Sequence, residues 1–131
     1  MLKPENRLTK TRDFNLVLKH GQWVGGGFLT LKWLKLAENP QFFPKKVDIE
    51  EFSKQLRLAI VAGLKVDKRA VARNRVKRQM REVVRLLIKA GRVQDGYYLM
   101  FVAKPAIKDK NYAEISREIE SLLRRAGPLS F

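Results

Sequence analysis

A chain of 131 residues with 45% hydrophobic content is the length of one domain and carries enough apolar material for a core, which excludes a disordered basic tail. Its net charge of +15 and pI of about 10.5 point to a polyanionic partner, nucleic acid ahead of an anionic membrane surface. With no cysteine and a single histidine, disulfides and thiolate metal sites are excluded and most metal and triad arrangements are removed.

The N-terminus, MLKPENRLTKTRDF, has no apolar core of the signal-peptide kind, and no apolar run reaches the ~18 residues of a spanning helix. A cytoplasmic protein without membrane attachment is expected. Residues 9–20 read as a short helix, capped by Thr9 or Thr11, with Asp13 at its positive end and Gly21 ending it. Phe14, Val17 and Leu18 share one face, either as core or as a partly exposed platform for bases. His20 falls in the last turn, where a cation suits the helix dipole. Gly25-Gly26-Gly27 matches neither the phosphate-loop nor the dinucleotide pattern and reads as a turn or bulge entering a strand. From Phe28 the chain alternates, with Leu29, Leu31 and Trp33 on one face and Phe28, Thr30, Lys32 and Leu34 on the other.

Residues 37–56 read as a connecting loop insertion with room for one helical turn, its Phe42-Phe43 pair bracketed by prolines and placed either to dock on the sheet, the stronger reading, or to meet a partner. RLAIVAGLK, 57–65, is a continuous apolar run that predicts a buried strand. It leads into the densest charge of the chain. Of residues 65–92, 11 are Lys or Arg and only Asp67 and Glu82 are acidic, a net +9. Val76, Met80, Val83, Val84 and Leu87 form one helical face, while Asn74, Arg78, Arg81, Arg85 and Lys89 form another, bordered by Arg73 and Lys77. Solvated helix surfaces usually mix signs at i,i+4 spacing; here one glutamate faces a run of like charges, so nucleic-acid binding is the stronger reading.

GYYLMFVAKP, 96–105, predicts another strand, and Asn111 with Glu114 predicts a capping box opening a last helix with the stripe Tyr112, Ile115, Ile119, Leu122 and Leu123. The order helix–strand–strand–helix–strand–helix gives a single-domain α/β (α+β) two-layer sandwich with a small central sheet and a basic crossover helix. If the strands around that helix are parallel in one sheet, pattern alone expects a right-handed crossover.

The run Ala70-Val71-Ala72-Arg73-Asn74-Arg75-Val76-Lys77-Arg78-Gln79-Met80-Arg81-Glu82 resembles the signature helix of the protein subunit of bacterial ribonuclease P. Arg7-Leu8, Asp13-Phe14 and Lys19-His20-Gly21 are similar to that family's first helix, and Tyr98 through Ala103-Lys104-Pro105 to its late strand. The resemblance covers roughly residues 7–36 and 57–126. It implies a ribosomal-protein-like domain fold, also seen in elongation factors, with a left-handed crossover. It also implies an RNA-binding subunit of an endoribonuclease whose catalytic RNA removes the 5′ leader of precursor tRNA, with magnesium held by RNA and substrate and no protein partner required. On this resemblance Lys68, Arg69, Arg73, Asn74, Arg75, Lys77, Arg78, Arg81 and Arg85 contact the RNA subunit. Phe14, Leu18 and Leu31 line a cleft for the single-stranded leader. Three departures stand out: Leu18 replaces a frequent second aromatic, Lys68 replaces a usual glycine, and residues 37–56 exceed the typical length.

The residue inventory agrees with a protein that carries no catalytic residue of its own. Phosphodiester hydrolysis needs a carboxylate metal cage or a positioned acid and base, and no acidic cluster here has ligand spacing; Glu50 and Glu51 would point apart on a strand. A ribosomal or ribosome-assembly RNA binder explains the charge and fold equally well; the Arg-Asn-Arg run and the aromatic first helix separate the two.

Overall fold

A computed structural model of the protein describes residues 2–129. Its elements are α1 (Thr11–His20), β1 (Gln22–Gly25), β2 (Leu29–Lys35), α2 (Ile49–Phe52), β3 (Leu56–Val61), α3 (Ala70–Lys89), β4 (Tyr97–Ala103) and α4 (Tyr112–Ala126). The four strands form one sheet in the order β1-β2-β4-β3. β1–β2 and β2–β4 are antiparallel, whereas β3 and β4 are parallel, so α3 is the crossover between them. The mixed α/β sandwich of the sequence reading is the fold.

Two cores sandwich the sheet. α3 and α4 cover one face: Val76, Met80, Val83, Val84 and Leu87 of α3 meet Leu29, Leu31, Leu99 and Phe101. Those five α3 positions are all buried, and each contributes about 1.5–3 kcal/mol by leaving water. On the other face α1 and α2 pack Leu16, Val17 and Phe52 against Leu34, Tyr98 and Met100. β4, buried on both faces, is the common floor.

α4 begins with the expected capping box and ends at Gly127, whose φ of 109° is the left-handed conformation that glycine adopts without strain. Its Glu118 carboxylate accepts the N–H groups of Gly27 and Phe28 at 2.9 and 2.8 Å, clamping the β1–β2 turn. A Cβ on Gly26 would sit 2.7 Å from that carboxylate, which is why glycine stands there.

Several expectations are corrected. β1 was not foreseen, because four mostly exposed edge residues ending in glycine show no alternation. α1 has neither threonine as cap: Lys10 precedes the first turn without a side-chain hydrogen bond, and Thr11 is already helical. β3 is an edge strand with Ala59 and Ile60 half-buried and Val61 exposed. Its outer side is bordered by the N-terminal segment, where Leu8 donates its N–H to the Leu58 carbonyl at 2.9 Å. The segment after β2 holds two 3-10 turns, Leu36–Glu38 and Pro40–Phe42, as well as α2, and Glu50 and Glu51 lie in the first turn of α2, capped by Asp48. Of the Phe42-Phe43 pair only Phe43 packs on the core, 4.5 Å from Phe52 of α2, whereas Phe42 stacks on His20 of α1 and stays partly exposed.

Candidate nucleic-acid interface

α3 enters through a turn built on Asp67. Its nearly buried carboxylate accepts the backbone N–H of Arg69 at 2.8 Å and the Arg69 guanidinium at 3.1 and 3.2 Å, and Lys108 approaches to 3.6 Å. The Arg69 hydrogen bonds hold this carboxyl well below the usual aspartate range. Arg73 folds back on the same turn, donating to the carbonyls of Asp67 and Lys68 at 3.0 and 2.9 Å. Further along, Arg85 pairs with Glu82 through two hydrogen bonds, which lower the Glu82 pKa.

The nine predicted cations and polar groups of the basic helix therefore divide. Arg69, Arg73 and Arg85 are engaged within the protein. Lys68, Asn74, Arg75, Arg78 and Arg81 are exposed and Lys77 half-exposed; among the described residues no ion pair engages the five cations of this set. Arg75 and Arg78 border a groove between α3 and α4 with Tyr112 at its other wall. Arg81 turns to the opposite flank.

There it lines a cleft of about 430 Å³ together with Leu8, Thr9, Phe14, Ala59 and Ile60. Phe14 is half-buried, one side on the core and the other in this cleft. The edge position of β3 opens the space: the N-terminal segment pairs with β3 at Leu58, and among the described residues no strand pairs with the outer side of Ala59 and Ile60. The structure thus brings two sites predicted separately, the first helix and the basic helix, to one cleft.

Leu18 and Leu31 do not join it. Leu18 is exposed and lies outside the cleft lining, though its carbonyl accepts the Lys32 ammonium at 2.6 Å. Leu31 has no exposure and belongs to the core beneath α3 and α4, on the sheet face away from α1. The strand period decides this: Leu31 shares its face with Leu29 and Trp33, whereas Thr30, Lys32 and Leu34 face α1. Lys32 is the residue that sequence reasoning passed over. Its stem is buried on the α1 face and its ammonium stands 5.0 Å from the ring of exposed Trp23, its cross-strand partner. A lysine inside an otherwise apolar alternation was the available signal. His20 is also more than a capping residue, for its ring stacks on Phe42 with centroids 3.6 Å apart and planes 5° from parallel.

Among the described residues no group of three or more His, Asp or Glu side chains is placed to hold a metal ion. What the arrangement can do is neutralise phosphates with forked guanidinium groups and receive unpaired bases against apolar walls. A basic face, an adjoining aromatic cleft and a small mixed sheet define a nucleic-acid-binding α/β sandwich.

Comparison with known proteins makes this specific. The family model Ribonuclease P matches residues 2–127. The ribonuclease P protein component of Synechococcus sp. is 32% identical over 129 residues, covering 98% of this chain and 87% of its own length. That of Clostridium kluyveri is 31% identical over 121 residues, 92% of this chain and 94% of its own. Among solved structures, the Staphylococcus aureus RNase P protein superposes with a TM-score of 0.71 at 23% identity, covering 98% of this chain and all of the other. The Thermotoga maritima protein gives 0.67 at 22% identity over 92% and 96%. The chain belongs to the ribonuclease P protein family: it is an RNA-binding protein component of the tRNA-processing endoribonuclease, in which catalysis is attributed to the RNA.

Proposed function

We propose that the unpaired cations of α3 seat the protein on the catalytic RNA while the Phe14 cleft receives the single-stranded 5′ leader of precursor tRNA. The observation that carries this reading is Arg81, which belongs to the cationic row and also forms a wall of the cleft holding Phe14. A leader lying against Phe14 would have its backbone within reach of that guanidinium, so one cation serves both RNAs. Lys68, Asn74, Arg75, Lys77 and Arg78 are the other contacts. Arg69, Arg73 and Arg85 act mainly by shaping and supporting the helix that presents them. Magnesium would be carried by the RNA subunit and the substrate phosphates, and the protein's contribution is to lower the repulsion between crowded phosphates. No protein partner is needed for this role. Among the described residues no helix is long and apolar enough to cross a membrane, and a role in processing precursor tRNA supports a cytoplasmic location.

The cleft is tested with Phe14→Ala in the reconstituted holoenzyme. Loss of one base–aromatic contact should weaken binding of leader-bearing precursor tRNA by about tenfold while binding of mature tRNA holds. An equal loss for both would place Phe14 in the core alone.

A further inference from the structure

The geometry points to a second site for an unpaired ribonucleotide, built by the 37–56 insertion on the flank of α1 away from the Phe14 cleft. α1 presents Arg12, Asn15 and Lys19 along one side, and Phe42 and Pro44 come across from the insertion to enclose a groove of about 330 Å³. At its end lies the stack of His20 on Phe42. A centroid spacing of 3.6 Å with nearly parallel planes is close to the ~3.4 Å rise between stacked bases. Phe42 is still 37% exposed, so a base could extend the stack.

The platform is held before any ligand arrives. Pro40 opens the 3-10 turn carrying Phe42, the Phe42 N–H donates to the Asn39 carbonyl at 3.1 Å, and the Asn39 side chain donates to the Lys35 carbonyl at 2.8 Å. The groove's charge identifies its occupant. Its ionised lining is cationic, with exposed Lys19 and with Arg12, which keeps 45% of its side chain in solvent while touching Asp13 at 3.3 Å. An aromatic platform beside two cations fits a base with its phosphate, the chemistry of single-stranded RNA. Either the 5′ leader or an unpaired stretch of the RNA subunit supplies that chemistry. This inference rests on the RNA-binding role above but on neither the Phe14 cleft nor α3.

Two affinities test it with Phe42→Ala, Phe42→Trp and Lys19→Ala: that of the protein for the RNA subunit, and that of the assembled holoenzyme for precursor tRNAs with progressively longer leaders. Phe42→Ala should weaken one of them by about tenfold and Phe42→Trp should keep it. Lys19→Ala should lower the corresponding slope of log affinity against log salt by about 1 without moving the thermal midpoint. A loss in the first affinity assigns the site to the RNA subunit; a loss that grows with leader length assigns it to the leader. Unchanged values in both for Phe42→Ala and Lys19→Ala overturn the inference, including the case in which the groove takes a protein instead. Arg78→Ala measured alongside keeps the two failures apart, since it loses RNA-subunit affinity only if the α3 reading is sound.

Discussion

Asp67 holds the entry to α3 by accepting two kinds of hydrogen bond from one residue, the backbone and the guanidinium of Arg69. Because its folded pKa lies below the ordinary 3.8, its contribution to stability is complete above that value and is lost as pH falls beneath it. Asp67→Asn should therefore lower the thermal midpoint at neutral pH and flatten the acid limb of a midpoint-against-pH curve. A variant curve parallel to wild type below pH 4 would contradict this. Arg73 and Arg78 look equivalent in the Arg-Asn-Arg-x-Lys-Arg run, yet Arg73 is tied to two carbonyls while Arg78 makes no ion pair among the described residues. Arg73→Ala is expected to lower both the thermal midpoint and RNA affinity. Arg78→Ala should leave the midpoint in place and reduce the slope of log affinity against log salt by about 1, as read by binding titrations across salt. Equal midpoint losses in the two variants would remove the distinction. Charge at these positions was plain in the sequence; their engagement depends on how the preceding turn folds back, which no local pattern encodes.

At the level of elements, the strong periodicities carried through. The apolar arc of α3 and the Asn111–Glu114 box of α4 were legible because each is fixed by contacts within one helix or with one core face. β1 and the edge position of β3 were not, because both depend on which strands lie alongside. Leu31 failed for a related reason: alternation told which residues share a face but not which helices cover it, and α3 with α4 took the face assigned to the leader. The clamp of Glu118 on the β1–β2 turn joins residues about ninety positions apart and was invisible for the same reason. Glu118→Gln should speed amide exchange at Gly27 and Phe28 while leaving exchange in the β4 core unchanged. Unaltered protection at both amides would show that the turn holds itself.

Over the whole molecule, the net +15 is a long-range attraction for RNA and the fold sets where it is concentrated. The parallel β3–α3–β4 unit puts the basic helix beside the outer edge of the sheet, and α1 supplies the aromatic on the other side of that edge. The family and its RNA-binding role were legible in the ordered basic run. The cleft's walls were not, since Arg81 and Phe14 meet only through tertiary packing. On the proposed function, this chain contributes electrostatics and base contacts to a reaction carried by RNA. The most direct test is cleavage of a labelled precursor tRNA at low magnesium by the cognate RNA subunit alone, the protein alone and the two together. Cleavage in the mixture alone, at the leader junction, is the predicted result; cleavage by the protein alone, or no effect of the protein on the RNA, would contradict it.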